Sequence, residues 1–267
     1  MKYYMLAAVA ALCISSAAAA QTTMPLNTGY DYSVFGLYPT PVGTGPSTRQ
    51  DNYWIKIASY EPPATSVPIA AAWVLNPAIA SWLTLPNARW VGPQPTGTSG
   101  GASSDTNPAY SIYRKCFCLM TGYQNPTLSF QLRADNESNA WLNSITNVLV
   151  PPSPDSYNTH APISSRPTAP GMFHAGLNCI YVLVQNRGGP TGFNLAGTVS
   201  ATGLMPIAGA GAGNSFAPCQ CGRATPGPAA MSARDNGMMA ADAEDSATIR
   251  AIVAFAEAQR RRAAGPR

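Results

Sequence analysis

Charged residues are scarce in this chain of 267 amino acids. Asp, Glu, Lys and Arg make up 10% of the sequence, against about a quarter in typical soluble proteins. Nucleic-acid binding depends on many contacts from Lys and Arg to phosphates. Between residues 21 and 205, however, eight basic side chains face seven acidic ones. This near-neutral balance predicts no nucleic-acid partner.

Catalytic motifs are also missing. The chain has only two histidines, His160 and His174, and no G-x-S-x-G segment, so a serine hydrolase lacks its signature. Residues 209–213 are rich in glycine, but no Lys-Ser or Lys-Thr follows, which excludes a phosphate-binding loop. Asp135 and Glu137 are too close in sequence to flank a glycosidic bond from opposite sides, where glycosidase carboxylates lie about 5–9 Å apart. We therefore expect a protein that is not an enzyme.

Long apolar runs are absent after the first twenty residues. Lys2 precedes an apolar run at residues 5–14, and three alanines stand before Gln21. This pattern predicts a secretory signal peptide over residues 1–20. The apolar run is too short for a permanent membrane helix, which needs about 20 apolar residues. We expect a secreted protein of the periplasm, cell surface or extracellular space, with no transmembrane span.

Five cysteines follow the predicted signal peptide. Export favours disulfides over free thiols, and zinc held by two C-x-C pairs is the alternative, although zinc sites usually have wider spacing. The spacing does not choose among pairings. An odd cysteine is left over, either free or able to link two chains. The disulfide candidates are Cys116, Cys118, Cys179, Cys219 and Cys221.

Strand patterns dominate residues 50–200. Tyr53, Ile55 and Ile57 alternate with other residues on one predicted face, and residues 127–134 alternate between apolar and polar side chains. Residues 179–184 are apolar on both faces, which is typical of a central strand. Turn-rich segments separate the strands. One of them, residues 151–171, is long enough to suggest function. These segments are residues 43–48, 93–107, 151–171 and 187–192.

The pattern predicts an all-β fold, an antiparallel β-sandwich over residues 21–205. Residues 206–267 form an Ala/Gly/Pro-rich linker and flexible tail. A short helix is predicted in this tail, capped by Asp245 or Ser246 and ending in three arginines. Its apolar stripe fits either a marginal tail helix or a contact with a membrane or partner. The stripe consists of Ile249, Ile252, Val253 and Ala256.

Short motifs appear in a characteristic order along residues 25–203. They are Asn27-Thr28-Gly29, Asp51-Asn52-Tyr53-Trp54, Ala88-Arg89-Trp90-Val91-Gly92-Pro93, Tyr110 to Phe117, Ala134-Asp135-Asn136, Gly176-Leu177-Asn178 and Val184 to Phe193. This order resembles the galactose-binding-like (discoidin-type) jelly-roll module of exported bacterial proteins. The resemblance implies a jelly-roll sandwich of roughly eight strands. It also implies a non-catalytic module that binds glycans or other surface ligands through loops at one end and sometimes holds a structural calcium.

The chain departs from that family in two places. Many proteins with this pattern carry a Pro-Glu-Pro sorting tail with a membrane helix and an arginine cluster, but this chain has only the arginines. The family's Leu-Asn-Gly turn is replaced by Leu142-Asn143-Ser144. Sorting by the tail is therefore not expected.

The candidate binding residues combine aromatic rings with polar side chains, because sugar rings stack on aromatics and hydroxyls pair with Asp, Asn and Arg. We expect Trp90, Asp135, Asn136 and Trp141 to contact a ligand, since each lies beside a loop or a polar turn. Asp135, Asn136 and Glu137 together offer oxygens suited to calcium, and an ordinary polar turn is the alternative. No other cofactor is predicted.

The sequence supports two different functions. The first is a secreted, non-catalytic carbohydrate-binding module whose partner is a glycan or other cell-surface ligand. The second is a structural or adhesive protein of the cell envelope or extracellular matrix, suggested by the low charge, the odd cysteine and the tail. The second function predicts self-association that is lost on reduction or on deletion of residues 206–267.

Overall fold

The computed structural model describes residues 21–32, 34–39, 46–61, 69–76, 82–98, 103–158, 161–205, 243–263 and 265. The predicted signal peptide, the predicted linker, His160, Cys219 and Cys221 lie outside these residues. The predicted β-rich fold with a C-terminal helix is confirmed. The strands of the described part are β1 (Gln21–Pro25), β2 (Tyr30–Asp31), β3 (Gly36–Leu37), β4 (Gln50–Tyr60), β5 (Ala70–Val74), β6 (Val91–Gly92), β7 (Ala109–Asp135), β8 (Glu137–Leu142), β9 (Ser144–Ser153), β10 (Ile163–Ser164), β11 (Gly176–Asn186) and β12 (Gly192–Met205); the helix is α1 (Ala243–Ala263).

Strand β7 organises the main sheet. Its first half pairs with β4 and β11, and its second half pairs with β12 and β10, all antiparallel. Within the described residues, the sheet has ten strands in the order β1-β12-β6-β5-β4-β7-β11-β8-β9, with β10 attached to β7. Strands β2 and β3 form a separate hairpin. No helix of the described residues is long and apolar enough to span a membrane.

The predicted alternation of residues 127–134 is confirmed for most positions. Leu128, Phe130 and Leu132 are buried in the main hydrophobic cluster, while Ser129 and Gln131 are exposed. The exception is Arg133, which was expected on the exposed face. Its side chain is buried, and the guanidinium donates a hydrogen bond of 2.6 Å to the carbonyl oxygen of Ser156, which offsets part of the cost of its burial.

Both faces of β11 are buried, as predicted for a central strand. Ile180, Val182 and Val184 belong to the main cluster, whereas Tyr181 and Leu183 belong to a second cluster on the opposite face. The strand lies between β7 and β8. The apolar run therefore reflects burial on two sides of the sheet.

A register shift in β4 places Tyr53 on the opposite face from Ile55 and Ile57, with which it was predicted to share one face. The pairing of β4 with β5 is irregular between Asp51 and Ile55. As a result, Tyr53 packs against the main cluster, and Ile55 and Ile57 belong to the second one. The expectation that all three share one face was wrong, because an irregularity in a strand breaks the two-residue period.

A disulfide joins two central strands. Cys116 of β7 and Cys179 of β11 are directly opposite in the register and form a bond. Cys118 is disulfide-bonded as well. The bond between β7 and β11 closes a loop of 63 residues, so its loss should cost about 2–5 kcal/mol. The expectation of disulfides is thus confirmed for three of the five cysteines.

Helix α1 lies on the second cluster of its own chain. Ile252 and Ala256 are fully buried there, and the ring of Phe255 meets that of Trp141 edge to face, with centroids 5.5 Å apart. Glu257 accepts a hydrogen bond of 3.0 Å from the Tyr110 hydroxyl. The predicted apolar stripe is therefore used for packing within the chain.

Two isoleucine substitutions in α1 test whether the helix packs on the second hydrophobic cluster. We expect Ile252→Ala to lower the free energy of unfolding by about 2–5 kcal/mol, because it removes apolar atoms and leaves a cavity. Ile249→Ala makes the same chemical change at a half-buried position of the same helix and should cost less. Urea unfolding followed by tryptophan fluorescence measures both. Equal, small losses would contradict the docking of α1.

Candidate functional site

Three of the turn-rich segments meet in an open cleft of about 320 Å³. Asp105 comes from the segment at residues 93–107, Pro154 and Asp155 from the segment at 151–171, and Arg187 from the segment at 187–192. Asn136 and Glu137, where β7 passes into β8, complete the lining. The antiparallel strands bring segments that are distant in sequence to the same end of the sheet, where the strands begin and finish. The cleft therefore unites two of the predicted site residues with loops that the sequence marks as turns.

Arg187 connects the sides of this cleft. Its guanidinium donates to Glu137 Oε1 at 2.5 Å and lies 3.9 Å from Asp105 Oδ1. Its backbone N–H donates to Asn136 Oδ1 at 2.7 Å. With its side chain 42% exposed, Arg187 keeps part of its guanidinium accessible. Carboxylate, amide and guanidinium groups together can donate and accept hydrogen bonds with a hydroxyl-rich ligand.

The loop that carries Arg187 is held by the buried side chain of Asn186. Asn186 Oδ1 accepts from the N–H of Gly188 at 2.9 Å, and Nδ2 donates to the carbonyl of Gly189 at 3.2 Å. Gly188 and Gly189 have φ values of 144° and 71°, where side chains other than hydrogen are disfavoured. These three residues therefore position Arg187.

A pair of stacked tryptophans lies next to the cleft. Trp82 and Trp90 have ring centroids 4.3 Å apart, and Trp82 Nε1 donates to Asp135 Oδ2 at 2.8 Å. Trp90 is buried, whereas Trp82 is only half-buried and adjoins the exposed Leu83. Trp90 therefore supports the ring above it. Of the two stacked rings, Trp82 is the one with an accessible surface.

Trp141 is placed elsewhere. Its side chain is 2% exposed and belongs to the second hydrophobic cluster beneath Phe255. A buried ring under a docked helix offers no face to a ligand, so the structure does not join Trp141 to the cleft. The reason is the alternation along β8, which sends Trp141 to the face opposite Leu142.

The three candidate calcium ligands have separate partners. Asp135 accepts from Trp82, Asn136 accepts from the Arg187 backbone, and Glu137 pairs with the Arg187 guanidinium. Within the described ranges, no three His, Cys, Asp or Glu side chains are grouped to hold a metal ion. Calcium binding stays a prediction, and the observed contacts favour the polar-turn alternative.

Burial changes the acidity of Asp135. The surrounding protein raises its pKa to about 6, mainly because burial disfavours the charged form; the hydrogen bond from Trp82 opposes this effect, and the charge of Asp155 adds to it. The carboxyl therefore titrates in the mildly acidic range. Its protonation state determines whether the Trp82 N–H donates to a carboxylate or to a neutral carboxyl.

Sequence reasoning missed Trp82, Arg187, Asp105 and Asp155. Trp82 was not among the candidate residues, although it lies in an irregular segment near Pro86 and not in an alternating strand. Arg187 precedes Gly188-Gly189-Pro190, which is a turn signal. Turn residues with a charged neighbour were thus the available signal for this site.

Comparisons with known proteins add no identification. No protein-family model matches the chain, and searches of curated proteins and of solved structures found no match. The resemblance to galactose-binding-like modules therefore stays a hypothesis.

The raised pKa of Asp135 leads to a stability prediction. The pKa of this carboxyl is about 4 in the unfolded chain and about 6 in the folded protein. Its contribution to stability is therefore fully present below about pH 4 and is lost as the pH rises through about 6. Asp135→Asn has no such titration. We expect the free energy of unfolding of the wild type, relative to the variant, to fall between pH 4 and 7, as measured by urea unfolding. Parallel pH profiles would contradict this assignment.

Proposed function

We propose that this protein is an exported, non-catalytic module that binds a glycan in the cleft formed by Asp105, Asn136, Glu137, Asp155 and Arg187. The observation that carries the proposal is the convergence of three turn-rich segments on one open cleft lined by hydrogen-bonding groups. Loops at one edge of a rigid sheet are common positions for binding residues.

The chemistry of the cleft supports a polar, uncharged or weakly charged ligand. Glu137 and Asp105 accept hydrogen bonds, and the guanidinium of Arg187 donates them. Arg187 partly neutralises Glu137 at 2.5 Å. Asp105 and Asp155 add carboxylate oxygens to the lining, which can accept hydrogen bonds from hydroxyl groups. Sugar hydroxyls, which donate and accept, fit this mixture of groups.

Trp82 supplies an apolar surface close to these polar groups. Its indole N–H donates to Asp135, and the next residue, Asn136, lines the cleft. Aromatic rings combined with polar groups suit sugars, because a pyranose ring has an apolar face and polar edges. In this proposal Trp82 takes the stacking role first expected of Trp90, and Trp90 supports it from below.

The proposed fold agrees with such a module. We infer a jelly-roll sandwich, supported by the antiparallel pairing throughout the main sheet and by the non-sequential neighbours β12 and β7. The main hydrophobic cluster takes side chains from both halves of β7, as a folded-over sheet would require.

A glycan array with the mature protein, in the presence and absence of calcium, tests the proposal. We expect at least one glycan to bind. Arg187→Ala should weaken that binding roughly 10- to 100-fold, because charged hydrogen bonds contribute about 1.5–3 kcal/mol. Arg166→Ala is the matched control, since Arg166 is exposed and does not line the cleft.

The outcomes separate the hypotheses. Binding that disappears on chelation would support the calcium prediction at Asp135, Asn136 and Glu137. Binding indifferent to both calcium and Arg187→Ala would contradict the cleft, and a blank array with well-folded protein would contradict glycan binding.

A structural or adhesive envelope protein is the second candidate. The hairpin of β2 and β3 carries Val34 and Phe35, which are 68% and 81% exposed. Exposed apolar side chains at a hairpin tip favour contact with another surface. If this function holds, the protein should form oligomers that dissociate on reduction or on deletion of residues 206–267.

A further inference from the structure

Lys115 has an unusual position for a lysine. It lies on β7 among side chains that face the main hydrophobic cluster, between Tyr113 and Phe117, and only 1% of it is exposed. Among the described residues, its Nζ has no hydrogen-bond partner. Buried amines are normally paired with hydrogen-bond acceptors, because an unpaired buried charge is costly. The side chain therefore calls for a chemical explanation.

Three aromatic rings surround Lys115 Nζ. The ring centroids of Tyr32, Trp54 and Tyr53 lie 4.8, 5.7 and 6.0 Å from the nitrogen. Aromatic faces attract a cation, but they also exclude water and provide no hydrogen-bond acceptor of ordinary strength. The amine is thus enclosed in an apolar environment.

Asp51, at the start of the paired strand β4, adjoins the same aromatic residues as Lys115. Its carboxyl binds the N–H groups of Tyr53 and Trp54, whose rings face the amine, and its charge acts on the pKa of Lys115. Asp51 is fully buried. Its Oδ1 accepts from the N–H groups of Tyr53 and Trp54 at 3.0 and 3.2 Å, and its Oδ2 accepts from Gly29 N–H at 2.6 Å. A carboxyl group and a primary amine are therefore both buried, on strands that pair with each other.

Burial favours the uncharged forms of both groups. It lowers the pKa of Lys115 to about 7, an effect that the charge of Asp51 opposes. It raises the pKa of Asp51, against the opposing effects of Lys115 and the three N–H groups. A neutral amine and a protonated carboxyl are the forms that can condense.

We propose that Lys115 and Asp51 form an intramolecular amide bond that joins β7 to β4 inside the core. This modification is independent of the proposed glycan binding. The product is a neutral amide, so the reaction replaces two buried ionisable groups with one uncharged group.

The reaction balances without an oxidant or a further reactant. The lone pair of Lys115 Nζ attacks the carboxyl carbon of Asp51, and a new C–N bond forms. The C–O bond to the hydroxyl then breaks, and a proton from the nitrogen leaves with that hydroxyl as one molecule of water. The N–H groups of Tyr53 and Trp54 stabilise the negative charge that develops on Oδ1 during the attack.

The reaction requires a movement of Lys115, because the amine and the carboxyl are not hydrogen-bonded to each other in this structure. The lysine side chain has four rotatable bonds and lies on the strand paired with β4. The carboxyl is held in place by its three backbone donors. We therefore assign the movement to the amine.

Peptide mapping of the mature wild-type protein tests the proposal. After reduction and alkylation of the cysteines, trypsin should release a branched peptide that joins residues 50–56 to residues 115–133, one water lighter than the two pieces. Cleavage after Lys115 should be lost, because trypsin does not cleave after an acylated lysine. Recovery of linear peptides alone, cut after Lys115, would overturn the proposal.

Intact-mass measurement of two variants provides the control. Lys115→Met should have the full mass of its sequence, whereas Lys56→Met should keep the loss of one water. Lys56 is the matched lysine, since it is also buried but donates to the carbonyl of Pro93 at 3.2 Å. A loss of water that persists in Lys115→Met, or that occurs without the branched peptide, would place the dehydration elsewhere and overturn the proposal. The wild-type peptide map decides the question even if Lys115→Met does not fold.

Discussion

The pairing of strand β7 with four other strands is the constraint on which the rest of the structure depends. Its 27 residues hydrogen-bond to β4 and β11 in the first half and to β12 and β10 in the second. A backbone N–H or C=O that is buried without a partner is costly, so these strands hold one another in register. The end of β7, at Asp135, then fixes where Asn136 and Glu137 enter the cleft.

The short motifs of the sequence stabilise this arrangement more than they form a site. Gly29 adopts a φ of 66°, and a Cβ there would lie 2.4 Å from the Cβ of Arg89. Its N–H donates to Asp51, whose carboxyl also receives the first N–H groups of the Tyr53-Trp54 segment. Thr28 accepts from the Leu195 N–H. Segments far apart in sequence are thus joined through a few buried polar side chains.

Local patterns predicted the burial of strand residues well where the strand pairs regularly with its neighbouring strands, because regular pairing preserves the two-residue period. Burial follows the prediction in residues 179–184 and, except at Arg133, in residues 127–134, because regular pairing surrounds both segments. The prediction failed at Tyr53, where the register shift in β4 sends it away from Ile55. Such an irregularity has no clear signal in one sequence, because it depends on what the partner strand offers. The site was predicted in part: Asn136 and Glu137 line the cleft, Asp135 and Trp90 stand behind it, and Trp141 is remote.

The sequence by itself determined the β-rich composition, the apolar faces of the central strands, the positions of the turns and the apolar stripe of α1. Each of these is a local property, written in the spacing of side chains along the backbone. Only the tertiary structure decided that Cys116 bonds to Cys179, that α1 covers Trp141, and that Arg187 meets Glu137. Each of these contacts joins residues at least 50 positions apart in the sequence. They follow from strand order and register, which depend on the packing of the whole sheet and not on any single segment.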